Sequence, residues 1–383
     1  MKKLIVTTLG PILISACALA QENLIQDLHL QIHGNLAEGV LYGSGNNYLT
    51  ADTTSGSARW DEGSLSVTSS ITDKFRVGAQ VHSWLLGELG RQNLELDWAY
   101  GDYKFKSWFG VRAGRVKTPI GLYNEIQGVD AVTPWALLPQ SIYPSDMRSF
   151  TLSHTGGVLY GDIGLGKRGG ALSWSAFGGS RGQRRNEGFV MSMASLGIAI
   201  GDCSGTIAGG DLRWKAPLDG LLMGASYSHT DLSAPNATME SWPLPVTTTT
   251  EQRQLYAQYE KGKFTLSAEY RASPTRISMG PTPANEPVHA WYTMASYRVT
   301  NKLTVGSYYS DIRLFPAGGN SSNPSNYLED VTANTRYDVN RFLYVKLEGH
   351  YMDGNGLGFY QQVNPNGFER VTRLVLARVG FAF

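Results

Sequence analysis

The sequence predicts an all-β fold: a transmembrane antiparallel β-barrel of about 16 strands with an inward-folded third outer loop. Three observations lead there. Short segments alternate apolar and polar residues with a period of two along most of the chain, as strands do when one face meets an apolar medium and the other meets water. No stretch after residue 20 is apolar for the length of about 20 residues that a spanning helix needs. The connections between these segments are by turns tight and long, which is how barrels join their strands on opposite sides of a membrane.

Bulk properties agree with a barrel. The 383 residues are 42% hydrophobic and 17% charged, with mean hydropathy −0.22; outward apolar and inward polar residues cancel in such an average. Length alone would allow two or three domains, but no linker or change of composition divides 21–383, which reads as a single barrel domain.

At the start, Lys2 and Lys3 precede an apolar run from Leu4 to Leu19 that ends in Ala18-Leu19-Ala20. This is a targeting segment cleaved before Gln21, so 1–20 is read as a signal peptide and export follows. Ile14-Ser15-Ala16-Cys17 resembles a lipobox and offers lipidation of Cys17 as an alternative. Cleavage at Ala20 removes two lysines and no acid, taking the formal charge from +1 to −1. A nucleic-acid partner, which calls for a basic domain, is not expected. Cys203 is then the only cysteine, so neither an internal disulfide nor a cysteine-held metal is expected, and no cofactor motif stands out.

Along the mature chain, Leu28, Leu30 and Ile32 oppose His29, Gln31 and His33; Leu65, Val67 and Ile71 oppose Ser66, Thr68 and Ser70; Phe75, Val77, Ala79 and Val81 oppose Arg76, Gly78, Gln80 and His82. Leu94, Leu96, Trp98 and Tyr100 then oppose Glu95 and Asp97. Later, Phe264, Leu266, Ala268 and Tyr270 oppose Thr265, Ser267, Glu269 and Arg271, and Leu343, Val345, Leu347 and Tyr351 oppose Tyr344, Lys346, Glu348 and His350. The charged face is assigned to the lumen. Strands are expected at about 28–42, 59–72, 75–86, 92–103, 106–117, 151–161, 169–179, 205–216, 220–231, 251–260, 263–273, 288–299, 302–313, 328–339, 342–352 and 370–383.

Tight turns are expected at Asp73-Lys74, Lys104-Phe105, Lys261-Gly262, Thr300-Asn301 and Asn340-Arg341. Two connections fit the alternation less well, a short outer one after Leu86 and a long inner one after Asp162. Trp98, Trp174, Trp214, Trp291 and Tyr297 are expected in an outward aromatic girdle.

One stretch, 115–148, breaks the pattern. It carries Pro119, Pro134, Pro139 and Pro144, mixed charge and no period of two, and ordered loops this long are uncommon and usually functional. Residues 118–150 are read as the loop folded into the bore. Lys117, Glu125, Asp130, Asp146 and Arg148 are its candidate constriction residues, and Arg76, Glu95, Asp97, Arg112, Arg271 and Lys346 the candidate lining. Trp135, Tyr123 and Tyr143 are expected to pack the loop on the wall.

Counting back from the end in twos, Phe383, Phe381, Val379, Ala377 and Val375 form an apolar face that finishes on a terminal aromatic. This resembles the C-terminal signature of bacterial outer-membrane barrels, which implies reading by the barrel-assembly machinery. Val111-Arg-Ala-Gly-Arg-Val-Lys-Thr-Pro-Ile-Gly-Leu-Tyr123 is similar to the segment that enters the constriction loop in porins of the phosphate-selective (O/P-like) group. The resemblance implies a water-filled channel in the bacterial outer membrane, a lipid-bilayer setting, a homotrimer, and passive diffusion of small solutes or ions. A specific phosphate-like anion channel is the narrower alternative. No run of arginines supports it.

Catalytic readings have little to stand on. Gly164-Leu-Gly166-Lys-Arg-Gly169 matches a dinucleotide fingerprint but precedes an alternating segment where a helix is required. Gly178-Gly-Ser180-Arg-Gly182 matches a nucleophile elbow but opens into a polar loop. Ser153 and His154 are chain neighbours on opposite faces of a strand, and His229 and His289 have no forced partner. A barrel hydrolase or a surface receptor using 181–204 and 231–250 remain the readings of another class; the expectation is a non-enzyme.

Overall fold

The computed structural model describes residues 29–183, 188–201, 203–280, 282–315, 320 and 322–383. The expected signal peptide at 1–20 lies outside these residues. Sixteen long strands form one closed antiparallel barrel in which each strand pairs with the next and the last pairs with the first. They are β1 Leu30–Ser44, β2 Trp60–Ser70, β3 Phe75–Leu86, β4 Glu95–Lys106, β5 Phe109–Lys117, β6 Ser153–Gly164, β7 Ala171–Gln183 and β8 Cys203–Lys215. The second half comprises β9 Leu221–Ala234, β10 Val246–Lys261, β11 Phe264–Met279, β12 Thr282–Arg298, β13 Leu303–Leu314, β14 Tyr327–Asp338, β15 Leu343–Asp353 and β16 Val371–Ala382. Closure gives every strand two neighbours, so no row of backbone N–H and C=O groups is left without partners along a sheet edge.

The start of β1 and the end of β16 share one rim, together with the short connections 71–74, 107–108, 165–170, 216–220, 262–263, 299–302 and 339–342. The opposite rim carries loops L1 (45–59), L2 (87–94), L3 (118–152), L5 (235–245) and L8 (354–370), together with the described residues of L4 (188–201), L6 (280) and L7 (315, 320 and 322–326). The seam closes when Gly34 and Phe383 exchange backbone hydrogen bonds at 3.1 and 3.0 Å.

Alternation sorts the faces largely as expected. Leu36, Val40, Leu65, Leu255, Leu347 and Val375 point outward and are exposed, while Gln80, Glu269, Lys346 and Glu348 on the other face are buried. Trp174, Trp214, Trp291 and Tyr297 stand on the outer surface.

Four expectations are corrected. Trp98 and Tyr100 point inward, because the β3–β4 register slips between Gln80 and Val81 and leaves Asp97 unpaired. A bulge of this kind adds one residue and reverses the phase beyond it; Trp98 Nε1 consequently donates to Gln80 Oε1 at 3.0 Å. The turn placed at Lys104-Phe105 falls at 107–108. The segment 274–287 is not an outer loop: β11 and β12 stay paired from Pro274–Pro287 up to Met279–Thr282, making a tall hairpin. Finally, the inner face is not uniformly wet. Trp60, Trp84, Tyr292, Tyr308, Ile312, Leu328, Met352, Leu374 and Leu376 face inward and belong to one apolar cluster that includes parts of L3.

Of the declined motifs, Gly166–Gly169 makes a single helical turn before β7, and Gly178, Ser180 and Gly182 lie within β7.

Candidate constriction of the bore

L3 leaves β5 and returns to β6, and between them it crosses the inside of the barrel. Its backbone is irregular, with three short 3-10 turns at Asn124–Ile126, Asp130–Val132 and Ser145–Met147. An irregular segment inside a barrel needs partners for its amides and carbonyls, and the inward faces of distant strands supply them.

On β15, Glu348 accepts from the N–H groups of Ala136 and Leu137 at 2.9 and 3.1 Å. Its neighbour Lys346, fully buried, donates to the carbonyls of Asp130 and Trp135 at 2.7 and 2.8 Å and pairs with the Asp130 carboxylate at 2.9 Å. On β14, Arg336 donates to the carbonyls of Ala131 and Thr133, and Asn334 to that of Pro134. On β11, Arg271 donates to the carbonyls of Ser141 and Ile142, and Glu269 accepts from Leu122 N–H and from the hydroxyls of Tyr143 and Tyr292. Apolar contacts complete the attachment. Trp135 meets Tyr308 edge-on with ring centroids 5.2 Å apart, and Tyr123 reaches Ser267 through its hydroxyl; with Tyr143 on Glu269, the three aromatics pack the loop on the wall as expected.

On the near side, Arg148 pairs with Asp97 of β4 at 3.3 Å, and Lys117 donates to the carbonyls of Glu125 and Gln127. Glu125 faces Arg213 of β8 at 3.4 Å, and Arg213 also holds the Gly121 carbonyl. Asp146 accepts from the hydroxyl of Tyr360 in L8. Burial holds the Asp146 carboxyl above the usual carboxylate range, although that hydrogen bond acts the other way. L8 is in turn tied to L1, with Asn364 and Asn47 bonded in both directions.

The five candidate constriction residues fall at three places: Asp130 and Arg148 beside one cavity, Lys117 and Glu125 beside another, and Asp146 against Tyr360 of L8. Asp130, Asp146 and Arg148 are buried, whereas Lys117 and Glu125 are partly open. Arg112 pairs with Asp102 at 3.0 Å and lies over the Tyr100 ring. Glu95 sits beside His82 in the sheet register. Arg76 stands apart, exposed near the short-turn rim.

Several interior groups escaped the sequence reading. Arg378 of β16 bridges Glu62 at 2.8 Å and Asp130 at 3.1 Å, and Glu62 also meets His82 at 3.2 Å. Arg378 was within reach, since it occupies the phase opposite Phe381 and Val379. Glu62 was within reach as well, in the phase of Ser66 and Thr68, whereas Arg213 stands in a strand whose alternation small residues obscure.

Polar cavities adjoin the loop. One of about 410 Å³ is lined by Gln258, Glu260, Lys263, Arg298, Arg336 and Asp338, another of about 170 Å³ by Arg112, Lys117, Glu125, Asp211 and Arg213. A smaller cavity of about 100 Å³ lies between L3 and the wall at Trp60, Trp84 and Arg378. Facing charges at a narrow point can sort ions by sign.

No family model matches the chain, and no curated protein is similar to it at a significant level. Solved structures share its architecture. The chain is similar to the outer-membrane protein OmpT of Vibrio cholerae at 11% identity and a TM-score of 0.61, covering 92% of this chain and 97% of that one. It is similar to an anion-selective porin from Comamonas acidovorans at 12% identity and TM-score 0.58, covering 92% and 99%. The outer membrane channel DcaP of Acinetobacter baumannii follows at 11% identity and TM-score 0.56, covering 92% and 97%.

Proposed function

We propose that the protein is a porin of the bacterial outer membrane, forming a water-filled channel through which small hydrophilic solutes or ions diffuse passively. The observation that carries this is L3: a long loop drawn into a closed barrel and fastened to β11, β14 and β15, with polar cavities beside it. Sixteen strands enclose a lumen too wide for wall side chains alone to fill, so the loop sets the size of what passes. The exposed apolar outer face and its aromatic residues suit a hydrocarbon layer bounded by two interfaces. The terminal Phe383 suits recognition by the barrel-assembly machinery.

Lys117, Glu125, Asp130, Asp146 and Arg148 are the constriction residues in this reading, and Arg112 with Arg213 lines the approach. Most of these charges face a partner of opposite sign. The channel accordingly discriminates weakly between cations and anions. The narrower expectation of a phosphate-like anion pathway has less to rest on, since Arg112, Arg213 and Arg378 are paired with acids.

A homotrimer is the assembly that this reading implies; the outer-membrane protein OmpT of Vibrio cholerae is known in a trimer form.

A hydrolase has less support. His154 meets Thr118 Oγ1 at 3.0 Å and Ser153 donates to the Asp97 carbonyl, while His229 pairs with Asp231 on the outer surface. No acid orients His154 in a triad among the described residues.

The test is the reversal potential of purified protein in planar bilayers under a salt gradient. Discrete conductance steps with a potential close to zero are expected. A potential near the limit for one ion would overturn weak selectivity, and absence of steps would overturn the channel.

A further inference from the structure

Two outer loops that start half a turn of the ring apart touch each other. L4 connects β7 to β8 and L8 connects β15 to β16, so a contact between them spans the mouth. In L4 the helix Gly188–Ser195 carries Phe189, Val190, Met191 and Met193, and Gln362 of L8 donates to the Met191 carbonyl at 3.3 Å. Gly188 lies against the hydrogen-bonded pair Asp146–Tyr360. A Cβ added there would stand 2.7 Å from the Tyr360 hydroxyl and 2.8 Å from the Asp146 carboxyl carbon, so only a glycine seats the helix this closely.

The helix joins two apolar patches into one roof. Val190 and Met193, 6% and 7% exposed, belong to a cluster with Leu232, Val246 and Ile277 at the outer ends of β9, β10 and β11, against which Phe150 of L3 packs. Met191 packs against the other cluster, to which L1 gives Tyr48 and Leu49 and L2 gives Leu89. Beyond L3 the character reverses, for the cavity of about 410 Å³ has a polar lining that includes the short-turn residues Gly262, Lys263 and Asn301. Ions do not cross an unwetted apolar layer, which is how hydrophobic constrictions close a pore.

We propose that the L4 helix is a lid. Seated on L8 it closes the outer mouth, and conduction requires its Gly188 end to lift while Ile198 and Ala199 stay paired with Met239 and Thr238 of L5. Among the described residues a single hydrogen bond joins L4 to L8, so the moving end is also the end held by the fewest polar contacts. L3 then sets the size of a conductance step, and the lid sets the share of time spent open, as the balance of two states.

The inference rests on the channel reading and adds a gate to it. Single-channel recording of purified protein in KCl gives open time and step size separately. Gly188→Val forces the helix off Tyr360 and Asp146 and is expected to raise the ratio of open to closed time about tenfold, with steps of wild-type size. Met191→Cys combined with Gln362→Cys and joined by a short bismaleimide is expected to lower that ratio about tenfold against the same protein before treatment. The wild type, whose Cys203 is buried, is expected not to respond to the reagent. A tethered pair that opens as often as before treatment, or a folded Gly188→Val with the wild-type ratio, overturns the lid and leaves the channel standing. Should Gly188→Val not fold, the tethered pair decides alone. Steps from Gly188→Val but none from the wild type support the lid; no steps from either, or from the untreated cysteine pair, remove the channel and the lid with it.

Discussion

Charged side chains inside this barrel act mainly as hydrogen-bond anchors for a loop. Glu348 is the clearest case, accepting two amides of L3 and meeting the ring of His350 at 3.0 Å. Replacing it with alanine leaves buried donors unpaired, at a cost of about 1–3 kcal/mol each; hydrogen exchange at 131–143 is expected to rise in Glu348→Ala while the strands stay protected. Asp146 gives a pH dependence. Its carboxyl is raised by burial, so the folded loop prefers the protonated form. That contribution is complete below the ordinary carboxyl value of about 3.9 and is lost as pH rises through the raised one. Protection of L8 at 354–370 is expected to fall over that rise, and Asp146→Asn is expected to flatten the profile. That Lys346 and Arg271 face inward was legible from alternation. That they bind backbone was not, because their partners lie in a loop more than a hundred residues away whose path no periodicity records.

At the scale of elements, sixteen strands were legible because each needs only a run of alternating residues and a turn. The misplacements have local causes. A single unpaired residue at Asp97 reversed the faces of Trp98 and Tyr100, and a bulge leaves no mark in an alternation read strand by strand. The expected strands stopped at 273 and 288, where β11 and β12 remain paired from Pro274–Pro287 up to Met279–Thr282. The terminal strand was read in its correct phase, and its closure has a testable detail. A side chain added at Gly34 would meet the Phe383 ring at 2.3 Å. Gly34→Val is therefore expected to impair the β1–β16 seam, seen as loss of the heat-resistant folded form on electrophoresis, whereas Gly164→Val, in open space, is expected to leave it intact.

For the whole molecule, the sequence conveyed the closed barrel and the loop inside it; the degree of filling was hidden. Trp135, Leu137 and Ile142 of L3 join Tyr308, Ile312 and Leu376 of the wall in one apolar cluster, so part of the lumen is packed like a protein interior and the polar cavities occupy what remains. In the proposed channel, L3 is the element that limits the bore. Single-channel conductance of the wild type and of a variant lacking 121–144, measured side by side in planar bilayers, tests this most directly. Larger steps from the shortened variant are what the structure predicts; steps of unchanged size from a folded variant would contradict it.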